Sequence, residues 1–591
     1  MNELAGMVAG KTAIVAQDCQ TGHEIAAIGF VLSCVGESIS YNVRPESTRD
    51  ANAYAVSDTH RSFTRKSTFF WAALGATVGL ANLWQFPYLA SLHGGGLFIL
   101  IYLACLLLVT LPLMVTEAAL GRHSRHGLVL ALDGFVRSAK ASNAWLIVGR
   151  LGILAAFLVL SFTAVFGSIA LAYVFYGAMG KFSGIDQAGA TQILAGLVSD
   201  PREYRVFMSW HALFLVLVIW VSIQGVVSGL ERALRVVVPG ALVLMMALFA
   251  LAVWHGRIDG AIEHILATHP EDVSFASVKA ALFHAFFTLG LGMGVWAIFG
   301  AYTAPGTRLK RSILAVVLMD TLVAIVAGLM IFSVATGGTS FDGERGFDLL
   351  FVSLPVTLAE FPISQFVIAV VFLLTVMIVW TTSLALMEPV VGWFREWTGA
   401  PRGWSALIIG LAVWFAGLAS LLSFNVWASD RMAGATVFRW LELITGGLLI
   451  PAVAILVSVF TGWRITRGLS SQILGQAPKL FEGIWFWVMR LVLPVVVAYI
   501  GIQYTAFSLT NLCESGSDGI WCSQPATVLF EPGEESLLEE PAPAPEPKPG
   551  AAGEQGEKAL PAGDSGAEEP AEESEPGENA PKDGEILYHS V

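Results

Sequence analysis

Eleven apolar segments follow one another between residues 68 and 509, at roughly 68–91, 95–120, 144–179, 207–227, 234–255, 276–301, 311–336, 363–393, 403–423, 434–461 and 484–509. A helix needs about 20 such residues to cross a bilayer, and every segment reaches that length. In chain order they are predicted spans 1 to 11. Two depart from a plain apolar run. Span 1 carries Gly75, Gly79 and Asn82 and leads into Pro87, and span 6 carries Gly290, Gly292 and Gly294 at alternate positions. In hydrocarbon an unpartnered backbone N–H or C=O costs several kcal/mol, so irregular backbone persists only where protein, water or a ligand satisfies it. Small residues at a packing interface would explain one such segment. Two of them, each first in a five-span half, are the pattern of a transporter whose halves have opposite orientation and whose substrate binds between two unwound helices. The predicted fold is an all-α polytopic membrane protein of 11 transmembrane helices. It has an inverted 5+5 repeat, with helices 1 and 6 broken at mid-membrane. The first repeat covers about 67–256, the second about 275–462, and an extra helix about 484–509, all within a transmembrane domain at 67–510.

Basic residues orient the spans. Arg122, Arg125, Arg137, Lys140 and Arg150 lie between spans 2 and 3; Arg232 and Arg235 follow span 4; Arg308, Lys310 and Arg311 follow span 6; Arg464 and Arg467 follow span 10. The alternate loops carry Asp259, Glu263, Glu271 and Asp272, or Asp342, Glu344 and Asp348. The N-terminus is therefore expected in the cytoplasm and the C-terminus outside, in a multi-pass protein of the inner (plasma) membrane. The amphipathic run Phe347 to Glu360 is expected to form a short helix over the outer face. Residues 1–66 read as a cytoplasmic extension. Their apolar run, Ile25 to Cys34, is too short to span and lacks the basic flank of a signal peptide.

Composition agrees with the membrane reading: 55% of the 591 residues are hydrophobic and 13% charged, with a mean hydropathy of +0.68. A soluble domain could not hide that much apolar surface. The net charge of -13 belongs to the tail, because Glu531–Val591 holds 17 acidic and 3 basic residues. It implies nothing about nucleic acid. Rich in Pro, Ala, Gly and Glu, the segment 511–591 is expected to be an acidic disordered tail. The five cysteines form no CxxC and no metal-ligand spacing, which argues against a zinc or redox site. Cys513 and Cys522 are near enough to pair in an oxidising compartment, or remain two free thiols. The chain has no HExxH, no paired-aspartate motif and no Ser-Lys or Gly-x-Ser-x-Gly arrangement, so it does not read as an enzyme.

The stretch Gly75-Ala-Thr-Val-Gly-Leu-Ala-Asn-Leu-Trp-Gln-Phe-Pro-Tyr88 resembles the signature of the neurotransmitter:sodium symporters, in particular their bacterial amino-acid transporters. Gly94-Gly-Gly-Leu-Phe98, Pro112-Leu-Met-Val-Thr-Glu-Ala-Ala-Leu-Gly-Arg122, Phe286-Phe-Thr-Leu-Gly-Leu-Gly-Met-Gly294, Asp320-Thr-Leu-Val-Ala-Ile-Val-Ala-Gly328 and Thr381-Thr-Ser383 support it in the family's order, over about residues 60–510. The resemblance implies a bundle of spans 1, 2, 6 and 7 moving against a scaffold, and one or two co-transported sodium ions as the only metal. Sodium site 1 would take the Thr77 carbonyl, the Asn82 and Thr288 side chains and Asp320. Site 2 would take the carbonyls of Gly75, Val78 and Ile378 and the hydroxyls of Thr381 and Thr382. A small hard cation wants such oxygens, although Thr in a span also often bonds its own helix.

A carboxylate in a span is a functional hypothesis by default. Asp320 looks like the acidic residue that stands in bacterial relatives for a bound chloride, which predicts chloride independence and a proton counter-movement. Glu117 matches a buried family glutamate that holds the span 6 backbone; as a plain acidic residue near the end of span 2, with Arg122 five residues on, it has a second reading. His284 reads as a packed helix residue, not a ligand. For the substrate the resemblance implies Ala76, Gly79, Leu80 and Ala81 in span 1, Val159 and Thr163 in span 3, Phe287, Gly290 and Met293 in span 6, and Leu386 in span 8.

Four positions depart from the family. Phe162 and Thr163 stand where a span 3 tyrosine usually bonds the substrate carboxylate, and a threonine hydroxyl falls short of that reach. Gln85 replaces the outer-gate arginine opposite Glu442. Ala81 replaces a glycine. At the inner gate, His60 or Arg61 with Phe63 replaces Arg-x-x-Trp opposite Glu396. Gly79, where amine transporters carry an aspartate, favours a substrate with its own carboxylate, either an apolar or aromatic amino acid or a related carboxylated amine. Two functions follow: a sodium-coupled symporter working by alternating access, or a transport-incompetent sensor or partner-binding membrane protein that keeps the fold.

Overall fold

The computed structural model describes residues 62–335, 346–429, 432, 435–465, 475 and 479–514. The chain divides between Thr59 and His60, and every described residue belongs to the second part. The N-terminal extension up to Arg61, the residues beyond Glu514 with Cys522, and the acidic residues Asp342 and Glu344 lie outside the described residues.

Among the described residues the structure is helical throughout, with no strand beyond two isolated bridges. Nine helices are long and apolar enough to cross a membrane: Gly96–Ser124, Asn143–Ala178, Tyr204–Ile223, Val226–His255, Leu309–Val334, Ser364–Thr398, Arg402–Leu422, Val437–Arg464 and Glu482–Leu509. They occupy predicted spans 2 to 5 and 7 to 11. The other two predicted segments are divided. Residues 68–91 form Thr68–Thr77, Leu80–Leu83 and Gln85–Leu92, and residues 276–301 form Phe275–Phe287 and Val295–Ala301. The amphipathic run after span 7 is helical across Gly346–Ala359.

Asn143–Ala178 and Ser364–Thr398 are the most buried of the long helices and pack on one another along much of their length. Thr68–Thr77 lies against Val226–His255, Leu309–Val334 and Ser364–Thr398. Small residues set how close the elements come. A Cβ on Gly121 would fall 1.8 Å from the Ala297 carbonyl oxygen, and one on Gly300 would fall 2.0 Å from that of Ala118. The backbone of span 2 therefore touches the backbone of Val295–Ala301, which is how helices in lipid gain contact where hydrophobic exclusion is absent. This approach brings Glu117 beside the interrupted part of span 6.

Four of the long helices contain at least one turn widened by one residue into π geometry, as does the helical run after span 7. The widened turn at Leu443–Leu449 follows Glu442 directly. Such turns rotate the side chains on either side relative to one another and recur at functional sites. Here Glu442, Thr445 and Gly446 all reach one central cavity.

Candidate functional site

The first interruption is two residues long. Val78 (φ -68°, ψ 102°) and Gly79 (φ -121°, ψ -172°) are extended, and the helix restarts at Leu80. Asn82 makes the restart possible, because its Oδ1 accepts the Gly79 N–H at 2.9 Å and so satisfies a donor that the break exposes. Its Nδ2 lies 3.5 Å from the backbone oxygen of Asp320. The break turns the carbonyls of Gly75 and Val78 toward span 8, where the Thr382 hydroxyl stands 3.5 Å from the first, 3.2 Å from the second and 3.2 Å from the Ile378 carbonyl. Thr381 Oγ1 donates to the same Ile378 oxygen at 2.9 Å. The residues expected at sodium site 2 thus form one cluster of oxygens. Gly75 permits it, since a Cβ there would come within 2.7 Å of Val238 and 3.2 Å of Thr381.

The second interruption runs from Thr288 to Gly294. Gly290, Gly292 and Gly294 have φ of 63°, 73° and 72°, a left-handed conformation that costs other residues roughly 1–2 kcal/mol each. Two side chains satisfy the exposed backbone: Glu117 Oε1 accepts the Gly292 N–H at 2.9 Å, and Trp296 Nε1 donates to the Leu289 oxygen at 2.8 Å. Glu117 therefore holds span 6, the first of its two readings.

Thr77, Asn82, Thr288 and Asp320 are all buried. Neither Asp320 carboxylate oxygen nor the Thr288 hydroxyl finds a protein partner at hydrogen-bonding distance and angle. Buried polar atoms are rarely left so, and unsatisfied oxygens beside one another suit a small hard cation. The Thr77 hydroxyl donates to Leu74 O at 3.3 Å and also lies beside the Asp320 carboxylate, and its carbonyl is the expected ligand atom. His284 is buried and packs its ring 5.3 Å from Tyr102 and 5.7 Å from Phe86.

Both interruptions face the same cavity, of about 60 Å³. Ala76, Gly79, Ala81, Val159, Thr163, Phe287, Gly290, Met293 and Leu386 line it, with Thr77, Thr288 and Thr382 from the ion clusters. Leu80, expected with them, is buried but does not line it. The Thr163 hydroxyl faces the cavity without a protein partner. Phe162, Leu289, Val295, Ala385, Thr445, Gly446, Ile450 and Tyr504 complete the lining and were not among the expected substrate residues. Gly446 and its neighbour Gly447 are a visible signal in span 10. Tyr504 has none, since it stands in an ordinary apolar helix outside both predicted repeats.

At the positions expected to gate the cavity, Glu442 is buried, accepts from the Tyr504 hydroxyl at 3.2 Å and lies 3.6 Å from Arg439. Gln85 lines a neighbouring cavity that Tyr504 also lines. Glu396 accepts the Gly127 N–H at 3.0 Å and lies 3.4 Å from His126, while its expected partner Arg61 is outside the described residues. Phe63 is buried against Phe299 and Tyr302 and donates its N–H to the Tyr302 oxygen at 2.8 Å.

Residues 60–183 and 203–514 match the sodium:neurotransmitter symporter family. The chain belongs to that family. Among its relatives is an uncharacterized sodium-dependent transporter, YhdH, of Bacillus subtilis (strain 168), 30% identical over 73% of this chain and 95% of the relative. An uncharacterized sodium-dependent transporter of Haemophilus influenzae is 24% identical over 75% of this chain and 98% of its own length. Among solved structures, the crystal structure of MhsT in complex with L-phenylalanine matches with a TM-score of 0.66 and 27% identity, covering 76% of this chain and all of MhsT. This symporter is thus a multi-pass, sodium-coupled membrane transporter, and its two interrupted helices and oxygen clusters stand within the matched region.

Proposed function

We propose that this symporter imports an amino acid, or a related carboxylated amine, by alternating access, drawing on one or two sodium ions. The observation that carries the proposal is the Thr382 hydroxyl, within 3.5 Å of carbonyls from Gly75, Val78 and Ile378. It joins the interrupted span 1 to span 8 through oxygen atoms alone. One sodium held there by Gly75, Val78, Ile378, Thr381 and Thr382 would bind the two helices together. A second, at Thr77, Asn82, Thr288 and Asp320, would sit beside the cavity, where a substrate carboxylate can complete its coordination. Each elementary charge moved inward adds ~2.3 kcal/mol of driving force per 100 mV.

On this reading the divided segments at 68–91 and 276–301 are broken transmembrane helices 1 and 6. They complete eleven spans in an inverted repeat, with the N-terminus in the cytoplasm and the C-terminus outside. The cavity lining is mostly apolar, from Val159, Phe162, Phe287, Met293 and Leu386, with the Thr163 and Thr445 hydroxyls as polar points. That suits an apolar or aromatic side chain, and the L-phenylalanine in the MhsT structure supports the same class. The Asp320 carboxylate, where ionised, would stand in place of chloride, and its protonation would provide the proton counter-movement.

The test is uptake into proteoliposomes carrying the full chain, with a sodium gradient and a panel of apolar and aromatic amino acids. Accumulation that collapses in potassium and persists when gluconate replaces chloride is expected. Sodium-independent counts, or strong chloride dependence, would overturn the corresponding part.

A further inference from the structure

Tyr504 belongs to the last helix, Glu482–Leu509, outside both predicted repeats, yet its side chain is buried in the wall of the central cavity. The same residue lines a second cavity, of about 290 Å³, together with Gln85, Lys279 and Phe287. Phe287 also faces both spaces, and its ring centroid lies 5.3 Å from that of Tyr504. These two rings are therefore the partition between the cavities.

The Tyr504 ring is held from two directions. Its hydroxyl donates to Glu442 Oε1 at 3.2 Å, and Glu442 is itself buried beside Arg439. The ring plane rests on Gly446, where a Cβ would stand 2.7 Å from the ring carbon Cζ. The widened turn at Leu443–Leu449 presents Glu442 and Gly446 to the same ring. A tyrosine anchored at its polar tip and packed on a bare backbone is a fixed wall, and a fixed wall sets the length of what fits beneath it.

We propose that Tyr504 is a specificity-determining residue of the transport site, closing one end of the cavity and setting the longest side chain admitted. The proposal rests on the amino-acid reading above. Two substitutions move the wall. Tyr504→Ala joins the central cavity to the second one and admits longer side chains. Gly446→Ala places a Cβ 2.7 Å from the ring carbon Cζ and must displace the ring. Tyr504→Phe keeps the ring and removes only the hydroxyl.

The experiment is sodium-dependent binding of alanine, valine, leucine, phenylalanine and tryptophan to the purified full chain, compared in sodium and potassium. The expected result is a rise of at least tenfold in the affinity ratio of tryptophan to valine in Tyr504→Ala and a change of at least threefold in that ratio in Gly446→Ala. The ratio should stay within threefold of the unaltered protein in Tyr504→Phe. A merely structural role would weaken all five ligands together and leave the ratio unmoved, and that outcome overturns the proposal. If either alanine variant cannot be obtained monodisperse, the other decides by its own ratio. Failure of the unaltered protein to bind any of the five in sodium removes the amino-acid reading itself, and this inference with it.

Discussion

Between Thr77 and Leu80 the chain leaves the helix for two residues, and between Phe287 and Val295 it leaves for seven. The N–H that the shorter break exposes is satisfied from within, because Asn82 reaches back three residues to Gly79. Val78 and Gly79 are merely extended there, a conformation open to any residue. The longer break is held from outside. Its backbone takes left-handed φ at Gly290, Gly292 and Gly294, and the Gly292 N–H is bonded by Glu117 of a different helix. A two-residue gap exposes few polar groups, and one side chain from the next turn can reach them. A seven-residue gap exposes more than local side chains can serve, so span 2 must approach closely enough to help. The Gly121 and Gly300 contacts, backbone on backbone, provide that approach. Both breaks take one bond from elsewhere and one from their own span, Thr382 meeting the Val78 carbonyl and Trp296 the Leu289 carbonyl, but the exposed N–H is served locally in the first and by a neighbouring helix in the second.

Removing the external support should have the largest effect. Glu117→Ala leaves the Gly292 N–H buried and unbonded, which costs about 1–3 kcal/mol, and it frees the segment that lines the cavity. Sodium-driven uptake is expected to fall by more than tenfold, with a lower thermal midpoint. Glu117→Gln keeps an acceptor oxygen and should retain most of both. Equal loss in the two variants would show that the carboxylate's charge, not its hydrogen bond, is what matters.

Thr382→Val comes next. It removes a hydroxyl that meets three carbonyls from two helices while preserving shape. Apparent sodium affinity, read from uptake against sodium concentration, should weaken about tenfold, the effect of losing roughly 1.4 kcal/mol. Thr77→Val is the control. Its hydroxyl bonds Leu74 of its own helix and lies beside Asp320, but its expected ligand atom is the carbonyl, so sodium affinity should weaken less than in Thr382→Val. Asn82→Ala should fall between them in stability, near the ~1 kcal/mol of a lost helix cap. If the shorter break tolerates that loss, sodium affinity will suffer more than the thermal midpoint.

Much of this arrangement is legible in the amino-acid order, and the reasons differ by residue. The nine long helices follow from apolar length alone. Both interruptions are marked because only glycine adopts the backbone at 290, 292 and 294 without strain, and because an amide in an apolar run, Asn82, needs a use. The widened turn at Leu443–Leu449 is not marked, since one extra residue in a turn alters no hydrophobic pattern. Tyr504 is equally silent: its phenol meets Glu442 across 62 residues of chain, and only the folded packing brings them together. Gln85 and Glu442 read as facing gate residues by position; the hydrogen bond that Glu442 accepts from Tyr504 is not readable there.

The effects on uptake should be smallest at the glycines, and there the two breaks diverge in kind. Gly290→Ala meets no steric obstacle, its new Cβ lying 3.6 Å from Met293 Cε, so its cost is the left-handed backbone at φ 63°, roughly 1–2 kcal/mol. Gly79→Ala carries no such cost, because φ -121° and ψ -172° are ordinary extended values. The added methyl at 79 instead enters the cavity wall where the substrate is proposed to lie. Gly290→Ala is thus expected to lower the thermal midpoint without ligand, and Gly79→Ala to leave it within experimental error while weakening substrate binding a few-fold. Measuring both variants by thermal unfolding, with and without sodium and substrate, separates the two costs. A destabilised Gly79→Ala in the absence of ligand would mean that the short break is strained after all, and that Asn82 is restraining it and not simply capping it.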